Sequence, residues 1–264
     1  MGRGTITIHS KEDFACMRRA GILAAKVLDF ITPHVVPGVT TNALNDLCHD
    51  FIISAGAIPA PLGYRGYPKS ICTSKNFVVC HGIPDDIALK NGDIVNIDVT
   101  VILDGWHGDT SRMYWVGDNV SIKAKRICEA SYKALMAAID VIQPGQKLNS
   151  IGLAIEEEIR GYGYSIVRDY CGHGIGREFH AAPNIVHYYD EEDDVTIQEG
   201  MFFTVEPMIN AGKYHTVLDK KDGWTVTTRD FSLSAQFEHT LGVTETGVEI
   251  FTMSPKNWHC PPYL

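Results

Sequence analysis

The chain has 264 residues, 45% of them apolar, and a formal net charge of −9. This is enough apolar material for a sizeable core, while the acidic balance argues against gripping nucleic acid through a basic face. No apolar run approaches the roughly 18–20 residues of a membrane helix. The seven cysteines (Cys16, Cys48, Cys72, Cys80, Cys128, Cys171, Cys260) include no C-x-x-C pair, which favours reduced thiols in a cytoplasm over a disulfide framework or a zinc knuckle.

The opening stretch "MGRGTITIHS" lacks the apolar h-region of a secretory signal. A helix is expected over residues 12–32, followed by a turn at Pro37-Gly38. In "VVPGVTTNALNDLCHDFIISAG", Leu44, Leu47 and Phe51 recur at helical spacing, and Gly56 stops the run.

The stretch "DIVNIDVTVILDGWHGDTSRM" then reads as a β-hairpin turning at Asp104-Gly105, a type I′ signal. If those are the turn residues, Leu103 pairs with Trp106, Thr100 with Asp109 and Asp98 with Ser111. Val95, Ile97, Val99, Val101 and Leu103 form an apolar face. Asn96, Asp98, Thr100, His107, Asp109 and Ser111 form the other, with the Asp98 and Asp109 Cβ atoms on a diagonal roughly 7–8 Å apart or less. Aspartate is depleted from strands, and two carboxylates on one face need water, protons or cations. From this hairpin alone, a solvent-exposed polar face and a metal-binding face both stay open.

The layout then returns. A helical stretch over 121–141 leads to Pro144-Gly145, and "IQPGQKLNSIGLAIEEEIRGYG" carries Leu148, Ile151, Ile155 and Ile159 on one stripe before Gly163. Gly38 to Gly56 and Gly145 to Gly163 are the same interval. "LKNGDIVNID" (from Leu89) likewise aligns with "IQEGMFFTVE" (from Ile197), each ending in a carboxylate. The ordered matches argue for a duplicated α+β unit, with repeats at roughly 12–115 and 121–250 inside one domain spanning 1–264. A site is expected where the halves face each other.

The second half adds Glu206 and Glu238 in apolar strands, and His173 among glycines in "CGHGIGREFH". Alone, each glutamate fits an edge strand and the histidine a structural role. Together, four carboxylates and an imidazole suit two divalent ions of intermediate hardness such as Mn²⁺, Fe²⁺, Co²⁺ or Zn²⁺. The run "DEEDD" (190–194) reads as a solvated loop. There is no G-x-S-x-G elbow and no H-E-x-x-H helix. Cys80 beside His81 reads as a packed residue. A two-metal phosphoesterase matches the ligand types but lacks basic residues clustered beside these motifs.

The motifs "LGYRGYPKSICTS", "VVCHGIPDD", "GDIVNIDVTVILDGWHGDTSRMYWVG", "YCGHGIGREFHAAPNI", "FFTVEPM" and "DGWTVTTRDFSLSAQFEHT" occur in order. With them the chain resembles type I methionine aminopeptidases of the bacterial kind over nearly its whole length. The resemblance implies the α+β "pita-bread" fold, with pseudo-twofold halves around a central antiparallel sheet. It implies five metal ligands, Asp98, Asp109, His173, Glu206 and Glu238, with Asp109 and Glu238 bridging two ions. A bridging water would attack the scissile carbonyl, with Glu206 shuttling protons. His180 would stabilise the oxyanion and His81 would contact the substrate near the scissile amide. Tyr64, Tyr67, Cys72, Phe179 and Trp224 would line a methionine pocket, which suits a polarisable thioether. A monovalent cation site would map to Asn76, Val78 and Ser234.

The implied activity is removal of initiator methionine from nascent chains after deformylation, where the second residue is small. The implied substrate places the chain in the cytoplasm near the ribosome, without direct nucleic-acid or membrane binding, and a monomer is expected because no coiled-coil pattern or assembly motif appears. Phe77, and Ala181-Ala182, stand where acidic residues are common in the family, so a less acidic cleft rim is expected. Two alternatives stay in view. A proline-specific peptidase of this fold would usually carry an additional N-terminal domain, for which no room is expected before residue 12; a non-catalytic binding module would usually have lost its ligands.

Overall fold

The computed structural model describes residues 4–263; Met1–Arg3 and Leu264, the ends of the expected 1–264 domain, lie outside the described residues. Helix α1 (Lys11–Ile31) begins at a capping box, in which the Ser10 hydroxyl accepts the Asp13 amide and the Asp13 carboxylate accepts the Ser10 amide. Thr40 caps α2 (Thr41–Ser54) in the simpler way, accepting the Ala43 amide, and Gly56 leaves the helix with φ +75°. In the second half α3 (Ile122–Asp140) is capped by Ser121. Helix α4 (Asn149–Ile159) runs into a 3₁₀ turn that ends at Gly163, φ +71°. The expected Leu148, Ile151, Ile155 and Ile159 stripe is buried throughout.

The hairpin pairs Ile94–Leu103 with Trp106–Trp115 in the register expected from its turn. Asp104 and Gly105 take φ +53° and +79°, the left-handed pair that a type I′ turn requires. Leu103 faces Trp106, Thr100 faces Asp109 and Asp98 faces Ser111. The apolar face, Val95, Ile97, Val99 and Val101, is fully buried against α1 and α2, each aliphatic side chain contributing about 1.5–3 kcal/mol. Gly108 permits that contact, because a Cβ there would lie 2.4 Å from the Ala20 backbone. A second core gathers Ile151 and Ile155 of α4, α3, and Phe203, Val205 and Leu241 of the second-half strands.

The repeat is written into the backbone hydrogen bonds. Gly38 donates to the Leu89 carbonyl at 2.8 Å, and Gly145 donates to Ile197 at 2.9 Å. Leu89 and Ile197 donate back to Val39 and Gln146, both at 2.8 Å. Gly92 donates to Val116 at 2.8 Å, as Gly200 does to Val243 at 2.9 Å.

All strand pairings among the described residues are antiparallel, and they form four sheets. The largest joins Ala181–Ile185, Gly172–Gly174, Phe202–Val205, His239–Val243 and Val248–Ile250. The central sheet breaks in the second half at two places. Phe202–Val205 stops before Glu206, where Pro207 supplies no N–H, and Met208–Asn210 begins another ladder. Opposite it, Ser234–Gln236 and His239–Val243 flank the gap holding Glu238. The glutamates expected in strands therefore stand at strand breaks.

The halves are stitched through these gaps. Ser111 and Glu238 form an isolated bridge, with the Glu238 amide donating to the Ser111 carbonyl at 3.2 Å. Thr110 Oγ1 donates to the Glu238 carbonyl at 2.7 Å, and Asn96 Nδ2 to the Gln236 carbonyl at 2.8 Å.

Candidate functional site

The hairpin's polar face is not a solvent face: Asn96, Thr100, Asp109 and Ser111 are 1–4% exposed. The second half covers it, and the four carboxylates meet His173 on the floor of one cavity of about 470 Å³. One ligand-type atom from each of Asp109, His173 and Glu238 lies within 4.8 Å of the others. His173 Nε2 is 3.7 Å from Asp109 Oδ2 and 3.6 Å from Glu206 Oε1.

Each group is aimed by a neighbour. Thr100, the cross-strand partner of Asp109, donates Oγ1–H to Asp109 Oδ1 at 2.7 Å. Thr204 Oγ1 donates to Glu206 Oε1 at 2.8 Å while accepting the His173 amide at 3.0 Å. Gln236 Nε2 donates to Glu206 Oε2 at 3.1 Å. His173 Nδ1 faces the Gly174 carbonyl at 3.1 Å. A carbonyl only accepts, so the proton sits on Nδ1 and the Nε2 lone pair faces the carboxylates. Gly172 and Gly174 flank His173, where a Cβ would lie 2.4 Å from the Thr204 carbonyl oxygen in one case and 2.0 Å from the Ala182 carbonyl oxygen in the other.

Burial sets the electrostatics of the site. Burial lifts the Asp98 carboxyl to about 7 and the Glu206 carboxyl to about 8. Asp109 and Glu238 are raised well above the carboxylate range, first by burial and then by the neighbouring carboxylates. Among the described residues, no lysine or arginine lies within ion-pair distance of the four. Burial lowers His173 to about 4, so its imidazole is neutral and compensates nothing. Buried anions without a cation are costly. Carboxylate oxygens around one lone-pair nitrogen are a donor set for divalent ions, so the residues present fit such ions.

The residues expected to line a pocket are brought together around this cavity. Tyr64, Tyr67, Cys72, Phe179 and Trp224 all line the cavity, as do His81 and His180. Tyr67 meets Trp224 edge-on at 5.2 Å, and Tyr64 stacks on His180 at 5.2 Å. His180 lies against His173, ring centroids 4.1 Å apart. His81, at φ +56°, is turned edge-on to Tyr170 at 5.6 Å. Burial holds His81 at about 4 and His180 at about 3, so both imidazoles are neutral. Cys80 also reaches this cavity; its buried thiol is pushed well above the usual range, as befits a packed residue.

Other expectations fall elsewhere. Ser234 donates its amide to the Asn76 carbonyl at 2.8 Å, which brings together two of the three expected cation-site residues; Val78 begins the adjacent strand. Phe77 lies outside the cavity lining, packed edge-on against exposed Phe231. Ala181 and Ala182 line a separate cavity of about 560 Å³ beside the N-terminal segment, with Thr5, His9 and Trp106. Neither departure changes the lining of the site.

Sequence reasoning missed the supporting layer. Thr100, Thr204 and Gln236 read as ordinary strand residues. His187, fully buried, accepts the Glu206 amide at Nε2, 3.1 Å away. No motif surrounds it, and a bond to a backbone amide leaves no sequence signal.

The profile of metallopeptidase family M24 matches residues 15–245. A methionine aminopeptidase of Rickettsia prowazekii (strain Madrid E) is 66% identical over 259 residues, covering 98% of this chain and 100% of the relative. The crystal structure of methionine aminopeptidase from Rickettsia prowazekii superposes with a TM-score of 0.92 at 66% identity, over 94% of this chain and 100% of that one. An Xaa-Pro dipeptidase from Bacillus anthracis, 23% identical, shares the fold alone, with a TM-score of 0.74 over 94% of this chain and 62% of its own.

Proposed function

Because the chain belongs to metallopeptidase family M24 and has its pita-bread fold, we propose that it is a methionine aminopeptidase, hydrolysing the bond after an N-terminal methionine. The observation that carries this reading is the convergence of Asp98, Asp109, His173, Glu206 and Glu238 beneath an aromatic and thiol-lined cavity. Those five side chains would hold two divalent ions (cobalt, manganese, iron or zinc). When bound, such ions polarise a carbonyl and ease deprotonation of water at neutral pH.

The chain's own groups supply the rest. The walls of Tyr64, Tyr67, Cys72, Phe179 and Trp224 take the methionine side chain, whose sulfur meets ring edges. Neutral His180 offers an N–H to the oxygen of the scissile carbonyl as negative charge develops there. His81 sits near the scissile amide. Glu206, held at both oxygens by Thr204 and Gln236, takes a proton from the attacking water and returns it to the departing amine. The second residue must be small to pass between these walls, and a formyl group would block the free amine. The substrates are therefore deformylated nascent N-termini in the cytoplasm, met by a monomer near the ribosome. A monovalent cation at the Asn76, Val78 and Ser234 turn would brace the strand leading to His81.

The test is methionine release from Met-Ala and Met-Lys peptides by apo-protein titrated with single metals under anaerobic conditions. Release from Met-Ala alone is expected; comparable turnover of both, or of neither with metal present, sinks the reading. Ala-Pro peptides serve as the control for a proline-specific peptidase, and metal analysis after repletion for a non-catalytic binding module.

A further inference from the structure

Six described non-glycine residues have positive φ: Arg65, Asn76, His81, Asp104, Phe231 and Asn257. Asparagine, aspartate and histidine tolerate that region; arginine and phenylalanine rarely enter it. Arg65 (φ +47°) stands between Gly63 (φ +81°) and Gly66 (φ +87°), at a position where glycine would hold the turn without strain. Backbone strain of this kind clusters where a side chain has a task. The Arg65 side chain is exposed at the cavity mouth, its guanidinium carbon 5.2 Å from the centre of the Tyr64 ring. Tyr64 in turn touches Phe179 and His180, at 4.9 and 5.2 Å. Arg65 makes no ion pair among the described residues. The turn and the ring therefore aim an uncompensated cation at the exit from the cavity.

We propose that Arg65 is a specificity-determining residue that reads the third residue of the substrate by charge, favouring aspartate or glutamate and disfavouring lysine or arginine. This rests on the activity proposed above, which places the methionine side chain against Tyr64 and the scissile carbonyl on the cavity floor. The second residue, being small, brings no charge. The third is the first whose side chain the walls leave unrestricted, and an extended chain, advancing about 3.3 Å per residue, brings it to the mouth. The guanidinium fork suits a carboxylate there. Neither Asp169, which lines the cavity, nor Asp222, beside Trp224, pairs with Arg65 among the described residues. Asp169 accepts Thr216 Oγ1–H at 2.5 Å, and Asp222 accepts the amides of Trp224 and Thr225 at 2.8 and 2.9 Å. Because Arg65 is exposed, the selection is modest and weakened by salt.

The experiment compares kcat/KM for Met-Ala-Asp-Gly, Met-Ala-Ala-Gly and Met-Ala-Lys-Gly amides with metal-loaded enzyme at low and high ionic strength. The aspartate peptide should exceed the lysine peptide by about two- to fivefold, mostly through KM, and lose that lead in high salt. Arg65→Gln should level the three peptides, Arg65→Gly should do so in a relaxed turn, and Arg65→Glu should reverse the order. An unchanged order in Arg65→Gln and Arg65→Glu, or no preference in the parent enzyme, overturns the inference while leaving the activity intact. Failure to release methionine from any of the three overturns the activity and this inference with it.

Discussion

The two halves share a backbone frame but place their carboxylates differently. Equivalent hydrogen bonds frame Leu89 and Ile197, and Val116 and Val243. In that frame Asp98 corresponds to Glu206. The register that pairs Val205 with His239 and Met208 with Gln236 puts Glu238 across from Glu206. In the hairpin the residue across from Asp98 is Ser111, and Asp109 sits two pairs nearer the turn, opposite Thr100. The first half thus offers two short carboxylates on a diagonal, from strands joined by a two-residue turn. The second offers two long ones face to face, from strand breaks separated by the segment 207–237. Duplication supplied the frame; the ligand set comes from departures from symmetry.

Removing a ligand should break this comparison most severely. Asp109→Ala, at the seam of both halves, should cut methionine release by roughly 10³-fold or more, the scale of losing a group essential to transition-state charge. Glu238→Ala should do the same, and circular dichroism should show both variants folded. A fully active Asp109→Ala protein would overturn the site. The supporting residues should separate the halves on a smaller scale. Thr100→Val removes one hydrogen bond to Asp109, whereas Gln236→Leu removes the bond to the Glu206 carboxylate and His187→Leu the acceptor for its amide. Losses of about 10–100-fold in metal affinity are expected. If binding titrations show no loss for Gln236→Leu, Glu206 does not depend on that bond.

Without metal, the site should make stability depend on pH in a defined direction. Unfolded carboxylates titrate near about 4. In the metal-free fold burial holds the Asp98 proton to about 7 and the Glu206 proton to about 8. Below about pH 7 the buried neutral histidines oppose this effect, because their unfolded counterparts take up protons there. Above about pH 7.5 that opposition is gone, the folded state binds more protons than the unfolded one, and stability falls as pH rises. Chelator-treated protein should melt roughly 2–5 °C lower at pH 9 than at pH 7.5. Divalent ions compete with those protons and should raise the midpoint more at pH 9. Equal melting temperatures at the two pH values without metal would show that the carboxylates are not buried together.

The hairpin was legible because its turn residues fix the register and its apolar alternation fixes the face. What covers the polar face was not legible: Asn96, Thr100 and Ser111 fit water as readily as a buried seam, and only the packing of the second half decides. The repeat located Glu206 but not the strand break beside it, although Pro207 was in plain view. The partners of Glu206 were illegible for a different reason. Gln236 and His187 act through single hydrogen bonds fixed by tertiary packing, and no residue spacing records such contacts.

The smallest expected effect concerns the helices that open each half's second segment. Thr40 and Lys147 occupy equivalent positions, each in an isolated bridge to the strand-leading segment, with Ala88 and Thr196 respectively. Thr40 caps α2 through its hydroxyl. Lys147 caps nothing; its ammonium donates to the Asp194 carbonyl at 2.6 Å and to Thr196 Oγ1 at 2.9 Å, at the surface. Removing a side-chain cap costs about 1 kcal/mol, whereas surface substitutions away from such features stay within about 0.5 kcal/mol. Thr40→Ala should therefore shift the urea midpoint measurably, and Lys147→Ala hardly at all. Equal shifts would mean that the lysine clamps its half as firmly as the threonine does, by tying the helix start to the 194–196 segment instead of satisfying the helix's first amides.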